Sequence, residues 1–208
     1  ATGSGKSTLA GAIFRFVEPT SGRIVIDGID IAHVGLAELR ERLELVPQDP
    51  VIMSGTLRST LDVVGKFDDA ALYDVLRQVH LRGDNAAEQT SFFNSLDNIV
   101  AEGGANLSQG QRQLLCLARA ILHKAHVVLF DEASSSIDLS TDELITQTIR
   151  AEFAHSTLLT IAHRLRTIID YDKVLVLGHG TVLEFGTPYT LLQNPSSHFY
   201  ACVYIELT

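Results

Sequence analysis

The stretch that decides the fold is Gly3-Ser4-Gly5-Lys6-Ser7-Thr8, near the start of the chain. It matches the end of the phosphate-loop pattern G-x-x-x-x-G-K-[S/T], whose glycines let backbone N–H groups turn inward onto phosphate oxygens. In this pattern, Lys6 reaches the β- and γ-phosphates of a nucleoside triphosphate, and the Ser7 hydroxyl holds Mg²⁺. The first glycine of the pattern would precede Ala1. The alternative is an ordinary glycine turn before a helix.

A second motif follows a continuous apolar run, Val127-Val128-Leu129-Phe130, which is typical of a strand buried on both faces. The run ends in Asp131 and Glu132. Two carboxylates at the end of a buried strand cost free energy unless they are paired or bind a ligand. Asp131 is therefore predicted to bind the magnesium ion, and Glu132 to orient or deprotonate the attacking water. The alternative is a solvent-exposed strand end.

The segment Leu107-Ser108-Gln109-Gly110-Gln111 combines Ser108 with Gln111 three residues later, as in a capping box, before a helix over 111–122. This pattern alone is explained by the start of a helix. Gly110, however, weakens a first helical turn and leaves the positive N-terminus open to an anion. A functional role is therefore favoured for Ser108, Gly110 and Gln111.

Three further polar residues are weak signals individually. Gln48 follows a short strand over 45–47, His163 follows an apolar strand over 157–161, and Asp138 ends a polar turn before a helix. A lone histidine at a strand end is most often a hydrogen-bonding residue, and Asp138 has the alternative role of a helix cap. No pair of the eight histidines has the spacing of a metal site.

The remaining sequence alternates between strand and helix patterns, which predicts an α/β fold with a mostly parallel sheet. Hairpins are expected around Asp27-Gly28 and Gly178-His179-Gly180. The middle of the chain loses strand signals, and residues 69–79 have the spacing of an amphipathic helix. Residues from about 50 to 122 are therefore assigned to a helical subdomain.

Composition limits the possible partners. The chain has 208 residues, of which 46% are hydrophobic, and a formal net charge of −9, so one sizeable domain over 1–208 is expected, without a broad basic face for nucleic acid. Cys116 and Cys202 are expected to be reduced thiols. No signal peptide or membrane span is visible, so the chain itself is expected to be soluble. It starts at Ala1 without Met and reaches the first motif almost at once, so it is expected to be a fragment.

In this order, the motifs resemble those of the nucleotide-binding domain of ATP-binding cassette (ABC) proteins. The matching segments are the Walker A loop Gly3–Thr8, the Q-loop Gln48, the signature Leu107–Gln111, Walker B Val127–Glu132, the D-loop Ser134–Asp138 and the switch histidine His163. Three further segments resemble the second nucleotide-binding domain of the multidrug-resistance-associated (C) subfamily of exporters: Ser54–Arg58, Glu102–Asn106 and Thr160–Leu165.

The resemblance implies ATP and Mg²⁺ as ligands and a second nucleotide-binding domain as a head-to-tail partner. Each ATP would lie between Walker A of one domain and the signature of the other, so Ser108, Gly110, Gln111 and Asp138 would act on the partner's nucleotide. His163 would grip the γ-phosphate. Gln48 would contribute to the magnesium site and report the γ-phosphate to the transmembrane domains of the same transporter. The domain would lie on the cytoplasmic face of a membrane, with the surface over 51–67 and Glu102 facing those domains.

Two departures from the family pattern matter. Gln109 stands where the signature usually has a second glycine, which puts only the partner's site in doubt. The strands before the phosphate loop, and the aromatic residue that stacks on adenine in this family, are absent. The isolated 208-residue piece is therefore expected to fold poorly or to bind ATP weakly.

Two alternatives to an export ATPase stay open at this point. A regulatory module of a C-subfamily channel or receptor would bind ATP and cleave it slowly, although the set of Asp131, Glu132 and His163 favours turnover. A soluble cassette ATPase of DNA repair, chromosome structure or translation is disfavoured. The interval between phosphate loop and signature lacks sustained heptads, and the charge is acidic.

Overall fold

A computed structural model of the chain describes residues 3–47, 49–83, 91–131, 139–162 and 168–207. The chain divides into two compact units, which are described separately: a first unit, Ala1–Arg40 with Ile161–Thr208, and a second unit, Glu41–Thr160. In the described residues, the helices are α1 (Lys6–Ile13), α2 (Leu36–Arg42), α3 (Leu57–Leu61), α4 (Asp69–Gln78), α5 (Gln109–His123), α6 (Leu139–Glu152), α7 (Pro188–Leu192) and α8 (His198–Leu207). The strands are β1 (Val25–Ile26), β2 (Ile29–Asp30), β3 (Leu43–Val46), β4 (Gly55–Thr56), β5 (Ile99–Val100), β6 (Val127–Asp131), β7 (Thr157–Ile161), β8 (Val174–Gly178) and β9 (Thr181–Gly186).

The central sheet has the order β3-β6-β7. Strand β6 pairs with β3 in parallel, with Leu43 opposite Val127 and Val46 opposite Phe130. The four apolar residues of β6 are all buried, as the continuous apolar run predicts. The prediction that the strand over 157–161 is equally buried was wrong. Its first residue is exposed and the other four are half-buried. An apolar run indicates that a strand packs against other elements, but it does not determine how completely they cover the strand.

The core of the second unit is formed largely by helix α5, which buries seven of its residues. Helix α4 adds the apolar face that the sequence predicts: Leu72, Val75, Leu76 and Val79 are each at most 2% exposed. Asp68 is the N-cap of α4, and its side chain accepts a hydrogen bond from the Ala71 N–H at 2.8 Å. The helical character of this region is thus confirmed, while its extent from 50 to 122 as a subdomain stays a prediction.

The same region also contains a short antiparallel pair that the sequence did not predict. Strand β4 pairs with β5, with Gly55 opposite Val100 and Thr56 opposite Ile99. Two-residue strands carry no alternating pattern, so their sequence signal is absent. Arg119 on α5 donates to the Thr60 and Val51 carbonyls, and this contact ties the chain after β3 to the helix.

The first unit contains both predicted hairpins. Strand β1 pairs with β2, and β8 pairs with β9, each in antiparallel register. Helices α7 and α8 then follow β9 and were not predicted. Thr187 before Pro188 is a helix-start signature that would have revealed α7, since the Thr187 side chain accepts from the Thr190 N–H at 3.1 Å.

Helix α8 closes the small core of the first unit, made of Ile168, Val174, Phe199 and Val203. Within the part of the chain that the structure describes, the helices are all too short or too polar to span a lipid bilayer. Cys116 is buried in α5 and Cys202 is exposed on α8, both as free thiols.

Candidate functional site

The phosphate-loop segment adopts a backbone that favours glycine. Gly3 has φ 81° and Gly5 has φ 99°, a region that residues with a Cβ rarely enter. Gly5 is the N-cap of α1 and supplies no side-chain hydrogen bond to the helix start. The Leu9 N–H donates to the Gly5 carbonyl at 2.9 Å, so the helix begins at once. The first-turn N–H groups, with the positive end of the helix dipole, are therefore arranged to receive an anion.

Ser4 and Lys6 form the polar interior of this loop. Ser4 is only 5% exposed, and its Oγ accepts a hydrogen bond from Lys6 Nζ at 3.0 Å. The ammonium group is thereby held beside the glycine turn. Ser7 and Thr8 are exposed on the first turn of α1. The loop thus presents one cation, two hydroxyls and a helix N-terminus, a set suited to phosphate oxygens.

Asp131 is the last residue of β6 and is half-buried, directly after four buried apolar residues. The strand therefore delivers a carboxylate to the carboxyl end of the parallel pair β3–β6, the edge at which α/β sheets bind ligands. A Ser7 hydroxyl and an Asp131 carboxylate are hard oxygen donors of the kind that Mg²⁺ prefers. The chemistry of these donors fits the predicted ion.

The signature segment forms a complete capping box at the start of α5. The Ser108 Oγ accepts from the Gln111 N–H at 3.1 Å, and the Ser108 N–H donates to the Gln111 side-chain oxygen at 2.9 Å. The helix-start interpretation of Ser108 and Gln111 is therefore confirmed as local structure. It does not test their predicted contact with a partner's nucleotide.

Gly110 has a packing role that sequence reasoning missed. A Cβ at this position would lie 2.8 Å from the Thr141 Cγ2 of α6. A glycine here lets the first turn of α5 approach α6, which is a reason for Gly110 besides the proposed anion site. This contact is tertiary, and no local sequence pattern signals it.

Four predicted site residues lie outside the described residues: Gln48, Glu132, Asp138 and His163. The phosphate loop belongs to the first unit, and Asp131 and the signature belong to the second. Among the described residues, no three His, Cys, Asp or Glu side chains form a metal-binding cluster.

The comparison with protein families gives one match. The family described as "ABC transporter" covers residues 1–135 of the chain, from the phosphate loop to the start of the predicted D-loop. The chain belongs to the ABC transporter family.

The relatives place this ABC transporter chain near sub-family C, as the resemblance predicted. It is 48% identical over 199 residues to the human "ATP-binding cassette sub-family C member 2", with 96% of this chain and 13% of that protein covered. It is 46% identical over 217 residues to the "ATP-dependent bile acid permease" of Saccharomyces cerevisiae, again with 96% and 13% covered. The chain therefore spans about one eighth of these proteins.

A solved structure confirms the fold. It is described as "Structure of a bacterial Atm1-family ABC exporter with ATP bound", and it matches this ABC transporter chain with a TM-score of 0.87 and 35% identity. The match covers 100% of this chain and 36% of the solved one. The predicted α/β fold of ABC type, with a parallel sheet and helices, is correct.

Proposed function

We propose that this chain is a nucleotide-binding domain that hydrolyses ATP with Mg²⁺ and thereby powers export of an organic anion, conjugate or drug across a membrane. The observation that carries the proposal is the start of α1, where Gly5 leaves the helix N-terminus uncapped and Lys6 lies beside it, 3.0 Å from Ser4 Oγ. The exporters and permease to which the chain is similar support this function over the regulatory alternative.

In this proposal, the loop residues Gly3, Ser4, Gly5, Lys6, Ser7 and Thr8 bind the triphosphate through backbone N–H groups, hydroxyls and the Lys6 ammonium. Ser7, Asp131 and Gln48 hold the magnesium ion, which neutralises phosphate charge when it is bound. Their participation in a single site is taken from membership of the family.

Hydrolysis is proposed to be an in-line attack by water on the γ-phosphorus, which breaks the bond from that phosphorus to the β–γ bridging oxygen and releases ADP and inorganic phosphate. Glu132 orients this water and takes its proton, and His163 donates to the γ-phosphate as negative charge builds up on its oxygens. Positioning and electrostatic stabilisation supply most of the rate acceleration in phosphoryl transfer. Glu132 and His163 therefore act mainly by holding the water and the γ-phosphate in position.

The proposed partners are a second nucleotide-binding domain and the transmembrane domains of the same transporter, with this chain on the cytoplasmic face of the membrane. Ser108, Gly110, Gln111 and Asp138 would act head to tail on the partner domain's ATP. Val51 and Met53 are 68% and 60% exposed, which is consistent with a surface that another domain covers.

The proposal is tested by Glu132→Gln in the full-length protein. The amide keeps the size of the side chain but removes the base, so we expect ATP binding within about twofold of wild type and turnover reduced by about 100-fold or more. Radiolabelled phosphate release and ATP binding measure the two quantities. Glu143→Gln, at an exposed position of α6, is the matched control and should hydrolyse ATP normally. Hydrolysis by Glu132→Gln at near wild-type rates would contradict the assignment.

A further inference from the structure

Two turns of the first unit have almost the same backbone conformation. Asp27 and Gly28 have φ 50° and 81°, and His179 and Gly180 have φ 50° and 76°. Each pair joins two antiparallel strands directly, β1 to β2 and β8 to β9. Positive φ at both central residues is the type I′ geometry, which matches the twist of a hairpin. Both turns therefore require residues that tolerate a positive φ.

Of the two turns, the one between β8 and β9 donates a backbone hydrogen bond to the phosphate loop, and no backbone hydrogen bond joins the β1–β2 turn to the described loop residues. The Gly180 N–H donates to the Ser4 carbonyl at 3.2 Å. A Cβ on Gly5 would lie 3.4 Å from the Gly180 Cα, so the two backbones are close to van der Waals contact. A Cβ on Gly28 or Gly180 itself would meet nothing within 4 Å.

The hydrogen bond to Ser4 orients the peptide group at the centre of the loop. In a trans peptide, the C=O and the following N–H point in opposite directions. Because the Ser4 carbonyl is turned towards Gly180, the Gly5 N–H is turned away from the hairpin. Ser4 is 5% exposed and also accepts from Lys6, so the same residue fixes both the backbone and the cation of the loop.

We propose that Gly180 is a positioning residue for the phosphate loop: the β8–β9 turn holds the Ser4–Gly5 peptide in the orientation that receives the triphosphate. This inference rests on the proposed ATP-binding function. The hydrogen bond from the turn supports the loop equally in the ATP-bound state and in the transition state of hydrolysis. Its loss therefore weakens nucleotide binding and leaves the rate of the hydrolytic step unchanged.

The test is Gly180→Val in the full-length protein, with Gly28→Val as the matched control. Both substitutions place a β-branched residue at a positive φ with free space around its Cβ, so the strain is equal. Valine keeps the backbone N–H, but it avoids a positive φ and shifts the turn. Only at position 180 does that shift move the donor of a hydrogen bond to the loop. We expect the Kd and KM of Gly180→Val for MgATP to rise about three- to tenfold with kcat within about twofold, while Gly28→Val leaves both constants unchanged.

Binding is measured by photolabelling with Mg²⁺-8-azido-ATP in competition with ATP, after which limited proteolysis separates the labelled domain. Gly180→Asn should restore the wild-type Kd, because asparagine tolerates the left-handed region. Gly180→Ala serves if the valine variant does not fold. Equal Kd values for the Gly180 and Gly28 variants would overturn this inference alone. Unweakened binding by Lys6→Ala would overturn the proposed function, and this inference with it.

Discussion

Two helix starts of this chain are built in opposite ways. Helix α1 begins at Gly5 without a side-chain cap and buries none of its residues, whereas α5 begins with the Ser108–Gln111 capping box and buries seven. The capping box satisfies two N–H groups at the start of α5, those of Ser108 and Gln111. The start of α1 has no side-chain cap at Gly5.

We therefore expect the start of α5 to contribute mainly to the stability of the fold and the start of α1 mainly to ligand binding. A helix that is capped and buried contributes to folding whether or not a ligand is present. A helix that is neither capped nor deeply buried is suited to bind an anion, since the ligand supplies what the chain omits. Substitutions near α1 should therefore change nucleotide binding, and substitutions in α5 should change stability first.

The largest expected effect is that of Lys6→Ala in the full-length protein. Loss of the ammonium group removes a charge-assisted contact with the triphosphate, so ATP turnover should fall about 1,000-fold, equivalent to roughly 4 kcal/mol. Amide hydrogen exchange in α5 should not change. Lys173→Ala, an exposed lysine of the first unit, is the control and should retain turnover. A Lys6→Ala variant with normal turnover would remove the basis for calling α1 an anion site.

The second prediction compares leucines on the two helices. Leu115 of α5 is 0% exposed and Leu9 of α1 is 41% exposed. Leu115→Ala leaves a cavity and should lower the opening free energy of the second unit by about 3 kcal/mol, whereas Leu9→Ala should cost the first unit less than about 1 kcal/mol. Native-state hydrogen exchange measures both quantities. Equal losses would show that burial does not distinguish the two helices.

The third prediction separates the two roles of Ser108. Ser108→Ala removes the cap and should destabilise α5 by about 1 kcal/mol. Ser108→Asp keeps an N-cap acceptor and should leave protection of α5 unchanged, yet it places a negative charge where the proposed partner's triphosphate approaches. ATP turnover of the aspartate variant should therefore fall although its helix is stable. If it hydrolyses ATP at the wild-type rate, Ser108 is a structural cap alone.

The smallest expected effect concerns a third helix start, that of α8. Glu184 of β9 accepts from the His198 N–H at 2.7 Å, the Phe199 N–H at 3.0 Å and the Ser197 hydroxyl at 2.8 Å. Burial raises the pKa of Glu184, but these hydrogen bonds and the nearby His198 outweigh it, so the pKa lies below its ordinary value of 4.5. A lowered pKa means that the folded protein favours the ionised form. This stabilisation is present above pH 4.5 and is lost as the pH falls through the lowered pKa.

Glu184→Gln should therefore reduce the protection of the first α8 amides by less than about 1 kcal/mol at neutral pH. The difference from wild type should narrow as the pH is lowered below about 4.5. The pKa of Asp62 is also lowered: burial raises it, but hydrogen bonds from the backbone of Phe67, Lys66, Gly65 and Val64 outweigh this. Because Asp62 is present in both proteins, its titration cancels in the comparison. A difference that persists unchanged at low pH would show that the charge of Glu184 does not stabilise α8.

Sequence patterns were reliable where the deciding contacts are local. The capping box at Ser108, the apolar strand over 127–130 and both two-residue hairpin turns follow from residues close together in the chain, and the structure contains each of them. The pair β4–β5 and helix α8 were missed. Two-residue strands have no period, and α8 starts on a carboxylate that lies 14 residues away in sequence.

The chain by itself determined the family, because the glycine-rich loop with Lys6 and the apolar run that ends in Asp131 are each written in contiguous residues. Only the tertiary structure decided why Gly110 is small and which turn supports Ser4, through the approach of Thr141 and the Gly180 N–H. The physical reason is the separation along the chain of the residues that make the deciding contacts. Backbone conformation and charge are properties of neighbouring residues, whereas a close approach between backbones depends on elements that meet after folding.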